Sequence, residues 1–418
     1  MKSPLLILLI SVLTLFYTHR ATTQSYNKNV VQLEEDLDYL ISVLSEDYVY
    51  AKDKAVDWDC LQRHYKAQIK NITSEEEEVL LFEFLLDEFY DSHVILNTNR
   101  KKSYRLYAPL YVVQLNQQFV IQSVWDETQA AFNFNLVGAR ILTFNGKTVQ
   151  QLINDFPVNC VDKSLPEVKE WLINKSLAGS YHEKRLLEIQ LSDGQIKEID
   201  LDNCKPQKHT AFLDVSQQEG LGIIRLHNSL GQNDLVGQFD KALDQLMETE
   251  GLILDLRNTV DGGNSYVARG IMSRFISTSL PYQQHEYMEQ YGQNPKVLRQ
   301  WMEYVVPRGK TYTAPMVVLV GRWTGSMGEG LAVGLDGMDR AMLMGSEMER
   351  LAGEMQYIPF HNRNYGFRIS TAKLAHIDGT PREKYLPPHY VREVDNTGPG
   401  LIPEAVNLLK KYIKDKKK

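Results

Sequence analysis

A single serine stands at a predicted strand-to-helix transition in the stretch GRWTGSMGEGLAVGL, residues 321–335. The apolar run APMVVLVG (314–321) precedes it and predicts a buried strand, and the small residues after it predict a closely packed helix. At this position Ser326 would have an exposed hydroxyl beside backbone N–H groups, such as that of Met327, which a helix leaves unpaired in its first turn. Those groups can stabilise the oxyanion of acyl transfer. The ordinary alternative is that Ser326 only caps the helix, as serine often does.

A second stretch that could contribute to catalysis is GLILDLRNTVDGGNSYVARGIM, residues 251–272. It predicts a buried strand, a loop with two adjacent glycines and a helix. Gly262 and Gly263 can turn backbone N–H groups towards a substrate carbonyl and so form the other half of an oxyanion hole. The alternative is a plain connecting loop, with Asp255 and Arg257 as a structural ion pair.

A nucleophilic serine needs a general base, and the chain has ten histidines. Their spacing does not single out one of them. The sequence has no HExxH motif and no close cluster of metal ligands, so zinc-dependent hydrolysis is poorly supported and we expect no metal or cofactor.

Composition narrows the possible classes. The chain has 418 residues, 43% of them hydrophobic and 24% charged, which is ordinary for a folded globular protein of more than one domain. The formal net charge of −7 argues against a nucleic-acid-binding protein, which would carry a basic patch.

The first residues have the pattern of an export signal. Residues 1–24 combine Lys2 with a short apolar run that ends before an Ala/Thr-rich stretch. We therefore expect an exported protein, periplasmic or secreted, with no membrane-spanning segment after signal removal. In such a compartment one disulfide can form, and among Cys60, Cys160 and Cys204 we expect the pair Cys160–Cys204.

Residues 25–103 form a predicted N-terminal helical domain. VVQLEEDLDYLISVLSEDY and SEEEEVLLFEFLLDEFY carry apolar residues at three- and four-residue spacing. Ser74, followed by a run of glutamates, is a good helix start. This helix should end near Tyr90, and the short sequence DSH (91–93) follows it.

The remainder divides into two further predicted domains. Residues 104–205 contain alternating and β-branched runs with turns at Asn145-Gly146 and Asp193-Gly194, which predicts a small β-rich module. Residues 206–418 alternate buried strands with amphipathic helices, which predicts a layered α/β core.

Four stretches occur in the order and at about the spacing of the C-terminal processing, or tail-specific, serine peptidase family: GLILDLRNTVDGGN, VVLVGRWTGSMGEGLAVGL, AMLMGSE and DGTPREKYLPPHYV. The chain resembles this family over most of residues 30–410. The resemblance implies a ClpP/crotonase-like layered α/β core with an N-terminal helical cap. It also implies that the module at 104–205 is PDZ-like, since GARILTFNGKTVQQL is similar to the carboxylate-binding edge of such modules. Ser326 takes the nucleophile position, and Glu329 is the glutamate that follows it.

The general base is where the sequence departs from the bacterial branch of that family, which uses a lysine. The corresponding segment reads GSEMERLAGEM (345–355), and Leu351 stands in the lysine position. The branch that resembles the tricorn core protease uses a histidine in an SH pair after the helical region. This resemblance implies His93 as general base, with Ser92 and Glu383 orienting its imidazole and stabilising the cation.

The resemblance therefore implies an exported serine-type endopeptidase that acts on peptides or unfolded proteins. The substrate would pair as an extra strand beside the strand that ends in DLRNTVDGG. The glycine loop is one residue longer than usual, which leaves open whether Gly262 or Gly263 serves the oxyanion. The alternative is a catalytically inactive relative that binds a peptide or a lipophilic ligand.

Overall fold

The protein is described from a computed structural model, which covers residues 26, 28–125, 131–204, 209–391 and 400–416. The predicted export signal at residues 1–24 lies outside these ranges. No helix within them is long and apolar enough to cross a membrane.

The N-terminal region is a helical layer of α1 (Val30–Glu46), α2 (Trp58–Ile69) and α3 (Glu75–Asp87). The predicted start of α3 is confirmed, because the Ser74 side chain accepts a hydrogen bond from Glu77 N. The apolar faces of the helices do not close a core by themselves. They pack against aromatic side chains from the last third of the chain, Phe360 and Phe367 among them.

The β-rich module contains one antiparallel sheet in the order β2-β3-β4-β6-β7, with β5 paired to β4. Asn145 and Gly146 both have positive φ, as a tight hairpin turn requires. Among its described residues the helices are α4 (Val149–Asp155) and α5 (Pro166–Ala178). Its strands are β2 (Leu110–Leu115), β3 (Gln118–Val124), β4 (Arg140–Phe144), β5 (Lys147–Thr148), β6 (Leu186–Gln190) and β7 (Ile196–Asp200).

The core contains a sheet in the order β17-β14-β13-β10-β9-β8, in which every neighbouring pair except β8 and β9 is parallel. The predicted layered α/β class is confirmed. Its strands are β8 (Leu213–Gln218), β9 (Leu221–Leu226), β10 (Gly251–Asp255), β13 (Met316–Val320), β14 (Met342–Gly345) and β17 (His389–Tyr390). Its helices are α6 (Leu235–Asp244), α7 (Ser265–Met272), α8 (Met327–Gly337) and α9 (Leu401–Lys416).

A second sheet joins the core to the helical layer. Its order is β1-β16-β11-β12, and β15 pairs with β16. Because β1 begins two residues after His93 and pairs with β16, this sheet fixes the end of the helical layer against the core. The strands are β1 (Ile95–Leu96), β11 (Leu280–Glu289), β12 (Val297–Val305), β15 (Glu354–Pro359) and β16 (Gly366–Ala375).

The predicted disulfide Cys160–Cys204 is wrong, because Cys160 is bonded to Cys60. The start of α2 lies beside the chain at residues 159–161, where Asp57 N donates to Cys160 O at 3.2 Å. Cys204 packs in the core of the β-module instead, and its thiol donates to the backbone oxygen of Asp200. The disulfide therefore links the helical layer to the module.

We expect chemical labelling to recover this pairing. Iodoacetamide added to the denatured, unreduced chain should modify Cys204 and leave Cys60 and Cys160 in one linked peptide pair. The bond closes a separation of 100 residues, so reduction should lower the free energy of unfolding by about 2–4 kcal/mol. Peptide mass mapping with and without reductant measures the first point and urea denaturation the second. A linked Cys160–Cys204 peptide would contradict the assignment.

Candidate active site

Two loops meet at the carboxyl edge of the core sheet because β10 and β13 are adjacent and parallel. The first loop, residues 256–264, follows β10, and the second, residues 321–326, follows β13. Thr259 N donates to Trp323 O at 2.9 Å, and Thr259 pairs with Thr324 as an isolated parallel bridge. The hydroxyls of both threonines donate to Leu256 O. The two glycine-bearing loops are therefore held together by hydrogen bonds between them and by a shared backbone acceptor.

Ser326 lies at the tip of the second loop and immediately before α8. Its φ is 48°, in the left-handed region that non-glycine residues seldom adopt. Such backbone conformations cluster at functional sites, where the surrounding structure maintains them. Met327 begins α8, so its N–H lies at the positive end of the helix and outside the helix's own hydrogen-bond ladder. The serine thus occupies the capping position and is also strained.

The glycine pair in the first loop allows a close approach to Ser326. A Cβ at Gly262 would lie 2.5 Å from Ser326 Cβ, and a Cβ at Gly263 would lie 2.1 Å from Leu230 C. The N–H of Gly262 donates to Thr259 O at 2.9 Å and is committed to the turn. Gly263, which is exposed, follows it.

Glu329 connects the serine to a distant segment. Its fully buried carboxylate accepts through Oε1 from Ser326 N at 3.2 Å and from Leu351 N at 2.9 Å. Burial raises its pKa to about 7, although Arg382 acts in the opposite direction. The glutamate therefore stabilises the strained backbone of the serine and fixes the position of residue 351.

His93 is 3% exposed. Its Nδ1 lies 2.8 Å from Ala352 O. A carbonyl oxygen only accepts, so Nδ1 carries the proton and the lone pair is on Nε2. Nε2 has no hydrogen-bond partner among the described residues, so it is not bonded to Ser326 in this state. Burial lowers the pKa of His93 to about 4, which keeps the ring neutral.

Residues 351–353, which we call the bridging segment, connect the parts of the site. Ala352 O faces the imidazole of His93, and the N–H of the preceding residue, Leu351, is held by Glu329. Arg382 Nη2 donates to Leu351 O at 2.8 Å and to Gly353 O at 3.2 Å. Leu351, the residue in the position of the missing lysine, thus contributes its backbone to the site.

Ser92 and Glu383 make other contacts in this structure. Ser92 Oγ accepts from Trp171 Nε1 at 3.2 Å, and Glu383 Oε2 accepts from Tyr50 OH at 3.4 Å. The ring nitrogens of His93 bond to neither of them, since Nδ1 faces Ala352 O and Nε2 has no partner. Their predicted roles stay predictions.

A cleft of about 1230 Å³ runs beside the bridging segment and is lined by all three regions of the chain. Its lining residues include Ser92, Trp171, Trp323, Ala352 and Glu383. Ser326 and His93 are not among its lining residues. Within the described ranges no group of histidine, cysteine and carboxylate side chains could hold a metal ion.

Three residues of this arrangement were not predicted from the sequence. The structure also confirms one ordinary interpretation, the ion pair between Asp255 and Arg257. Asp91, which accepts from His93 N at 2.8 Å, is visible only as part of the DSH stretch. Arg382 precedes Glu383 but carried no signal of its own, and a carbonyl such as that of Ala352 carries none in any sequence. Asp255 and Arg257 form the expected ion pair, with Nη2 2.8 Å from Oδ2.

The prediction that a substrate strand pairs directly with β10 is wrong. Both edges of β10 (Gly251–Asp255) are occupied, by β9 on one side and by β13 on the other. Neither edge of β10 is therefore open to an added strand.

Comparison with known proteins defines the class of the chain. Residues 220–392 match the model of peptidase family S41, and residues 32–87 match the tricorn protease C1 domain. The stretch that matches the S41 model carries Ser326 and both loops, and the chain is a serine peptidase by class. No curated protein matches the chain in sequence.

Several solved structures have folds similar to that of this chain. Mature CPAF has a TM-score of 0.59 at 14% identity, with 86% of this chain and 92% of that chain covered. The photosystem II D1 C-terminal processing protease has a TM-score of 0.52 at 14% identity, covering 91% of this chain and 97% of that chain. At such identities the likeness establishes the fold.

The position of Glu329 leads to a stability prediction. Glu329→Ala should lower the free energy of unfolding by about 2–4 kcal/mol, because two buried N–H groups lose their acceptor. Glu329→Gln retains an oxygen that can accept from both N–H groups, so it should lower the free energy of unfolding by less than half as much. Chemical denaturation of both variants measures the difference, and equal losses would show that the two hydrogen bonds do not stabilise the fold.

Proposed function

We propose that this chain is an exported peptidase that hydrolyses peptide bonds with Ser326 as nucleophile and His93 as general base. The observation that carries the proposal is the state of His93. Its imidazole is held as the neutral tautomer by Ala352 O, and its lone pair on Nε2 is uncommitted. Leu351, which precedes Ala352, donates its N–H to the Glu329 carboxylate that also accepts from Ser326 N.

The chemistry follows the general scheme of serine acyl transfer. Nε2 takes the proton from Ser326 Oγ as the oxygen attacks the substrate carbonyl carbon. The resulting imidazolium gives the proton to the departing amine, and water then hydrolyses the acyl-enzyme by the same steps. Nε2 and Oγ have to come within hydrogen-bond distance when substrate binds, as catalytic contacts that are loose in the free enzyme commonly do.

We place the oxyanion between the N–H of Met327 and that of Gly263. The helix supports the first through its positive end. Gly263 is preferred over Gly262 because the N–H of Gly262 already donates to Thr259 O. Ser92 and Glu383 line the cleft, and we propose that in the loaded enzyme they lie beside the ring and stabilise the charge of the imidazolium, whose Nδ1–H stays on Ala352 O.

The cleft is the proposed route for an extended peptide or unfolded segment. Its volume of about 1230 Å³ exceeds that of pockets for drug-sized ligands, which are roughly 300–1,000 Å³. The disulfide Cys60–Cys160 supports export to an oxidising compartment.

Covalent labelling tests the nucleophile. A fluorophosphonate probe should label the wild-type chain, and Ser326→Ala should abolish the labelling because the probe bonds to the serine oxygen. Ser216→Ala, at an exposed serine on β8, serves as the matched control and should be labelled like the wild type. Undiminished labelling of Ser326→Ala would exclude this serine, and an unlabelled, inactive wild type would favour the inactive ligand-binding alternative.

The pH profile tests the base. A general base acts only when unprotonated, so kcat/KM should hold as pH falls from neutrality and be lost near pH 4, the pKa to which burial lowers His93. His93→Ala should cut turnover at all pH values, whereas His361→Ala, at an exposed histidine, should not.

Circular dichroism at each pH separates loss of base from acid unfolding. An acid limb near 6.5, the ordinary value for histidine, would mean that the ring is hydrated in the working enzyme and that the buried arrangement is not the catalytic one. Full activity of His93→Ala would exclude His93 as base.

A further inference from the structure

The β-module contacts both catalytic loops through aromatic side chains. Trp125, at the end of β3, stacks on Trp323 of the nucleophile loop, with ring centroids 5.7 Å apart and planes at 27°. Tyr107, just before β2, packs against Trp125 with centroids 5.9 Å apart. Val260 of the glycine loop completes this apolar cluster. One small cluster therefore contains side chains of the module and of both loops.

The hydroxyl of Tyr107 adds a directional contact. It donates to Asp261 Oδ1 at 3.2 Å, and Asp261 immediately precedes the glycine pair. The same aspartate is held from the core by Asn228, whose Nδ2 donates to Asp261 Oδ2 at 2.7 Å and whose Oδ1 accepts from Asp261 N at 2.9 Å. The residue before the glycine pair is thus held by hydrogen bonds from two directions, one from the module and the others from the core.

The Tyr107 contact has a geometric consequence. Gly262 and Gly263 have no side chains with which to hold the loop, and Gly263 is exposed to solvent. The direction of the Gly263 N–H therefore depends on the anchored residues that flank the pair. Asn264 follows it and donates through Nδ2 to Asn233 Oδ1 at 3.2 Å, and Asp261 precedes it and is the one that the β-module contacts. An oxyanion donor has to be aimed before the reaction begins, because its stabilisation depends on preorganisation.

We propose that Tyr107 is a positioning residue of the peptidase, which holds the glycine loop through Asp261 so that the Gly263 N–H faces the oxyanion. The inference rests on the proposed function and deepens it. It makes the β-module a fixed part of the catalytic site.

The test is Tyr107→Phe, which keeps the ring on Trp125 and removes only the hydroxyl. We expect kcat to fall about tenfold with KM unchanged, because the lost contact acts on the transition state and not on ground-state binding. The melting temperature should hold. Hydrogen–deuterium exchange of the peptide spanning residues 256–264 should accelerate.

The matched control is Tyr312→Phe in the core. Tyr312 is 1% exposed, and its hydroxyl lies 2.9 Å from Thr249 Oγ1, so this change also removes a tyrosine hydroxyl contact. It should leave kcat and the exchange of residues 256–264 unchanged. In an Asp261→Ala background, which removes the acceptor of the Tyr107 hydroxyl, Tyr107→Phe should have little further effect, since it acts through that aspartate.

An unchanged kcat in Tyr107→Phe would overturn the inference. So would a fall in kcat that tracks a lower melting temperature, or equal effects in Tyr107→Phe and Tyr312→Phe. Exchange of the loop is measured whether or not the chain turns over substrate. An inactive wild type with faster loop exchange in Tyr107→Phe would therefore count against the proposed function and for the contact, whereas unchanged exchange would count against the contact itself.

Discussion

The site depends on how a buried stretch of backbone satisfies its hydrogen bonds. The N–H and C=O groups of residues 351–353 have to find partners, since an unpaired buried backbone group is costly. Four side chains from other parts of the chain are among these partners: His93, Ser370 and Arg382 donate to the carbonyls, and Glu329 accepts from the N–H of Leu351. The same hydrogen bonds therefore place the candidate base and the glutamate that holds the nucleophile turn on the adjacent residues Ala352 and Leu351.

The same burial sets the electrostatics. Desolvation lowers the pKa of His93 to about 4 and raises that of Glu329 to about 7, so the imidazole is neutral and the carboxyl is only weakly acidic. A neutral imidazole with its proton on Nδ1 suits a general base. The carbonyl of Ala352 orients the ring here as a carboxylate does in many triads. Arg382 acts on the backbone of the segment and lies 3.9 Å from Glu329 Oε2. The Arg382 guanidinium therefore lies near both the bridging segment and the Glu329 carboxyl group.

Local patterns in the sequence predicted much of this architecture. The apolar run before Ser326, the glycine pair and the capping serine Ser74 each express a local preference, and each lies where the pattern predicts. The family resemblance supplied His93, which local pattern did not distinguish among ten histidines. The disulfide partner, the carbonyl of Ala352 and the occupied edges of β10 could not be predicted, because each depends on which distant segments become neighbours. Backbone acceptors in particular have no residue type by which to recognise them.

The most direct measurement is a crystal structure of the chain with a peptidyl fluorophosphonate bound covalently. The account predicts phosphorus on Ser326 Oγ, the phosphoryl oxygen facing the N–H groups of Met327 and Gly263, and His93 Nε2 within hydrogen-bond reach of the adduct while Nδ1 stays on Ala352 O. An adduct on Ser326 with the imidazole still buried and out of reach would contradict it, because the base would then have to be another group.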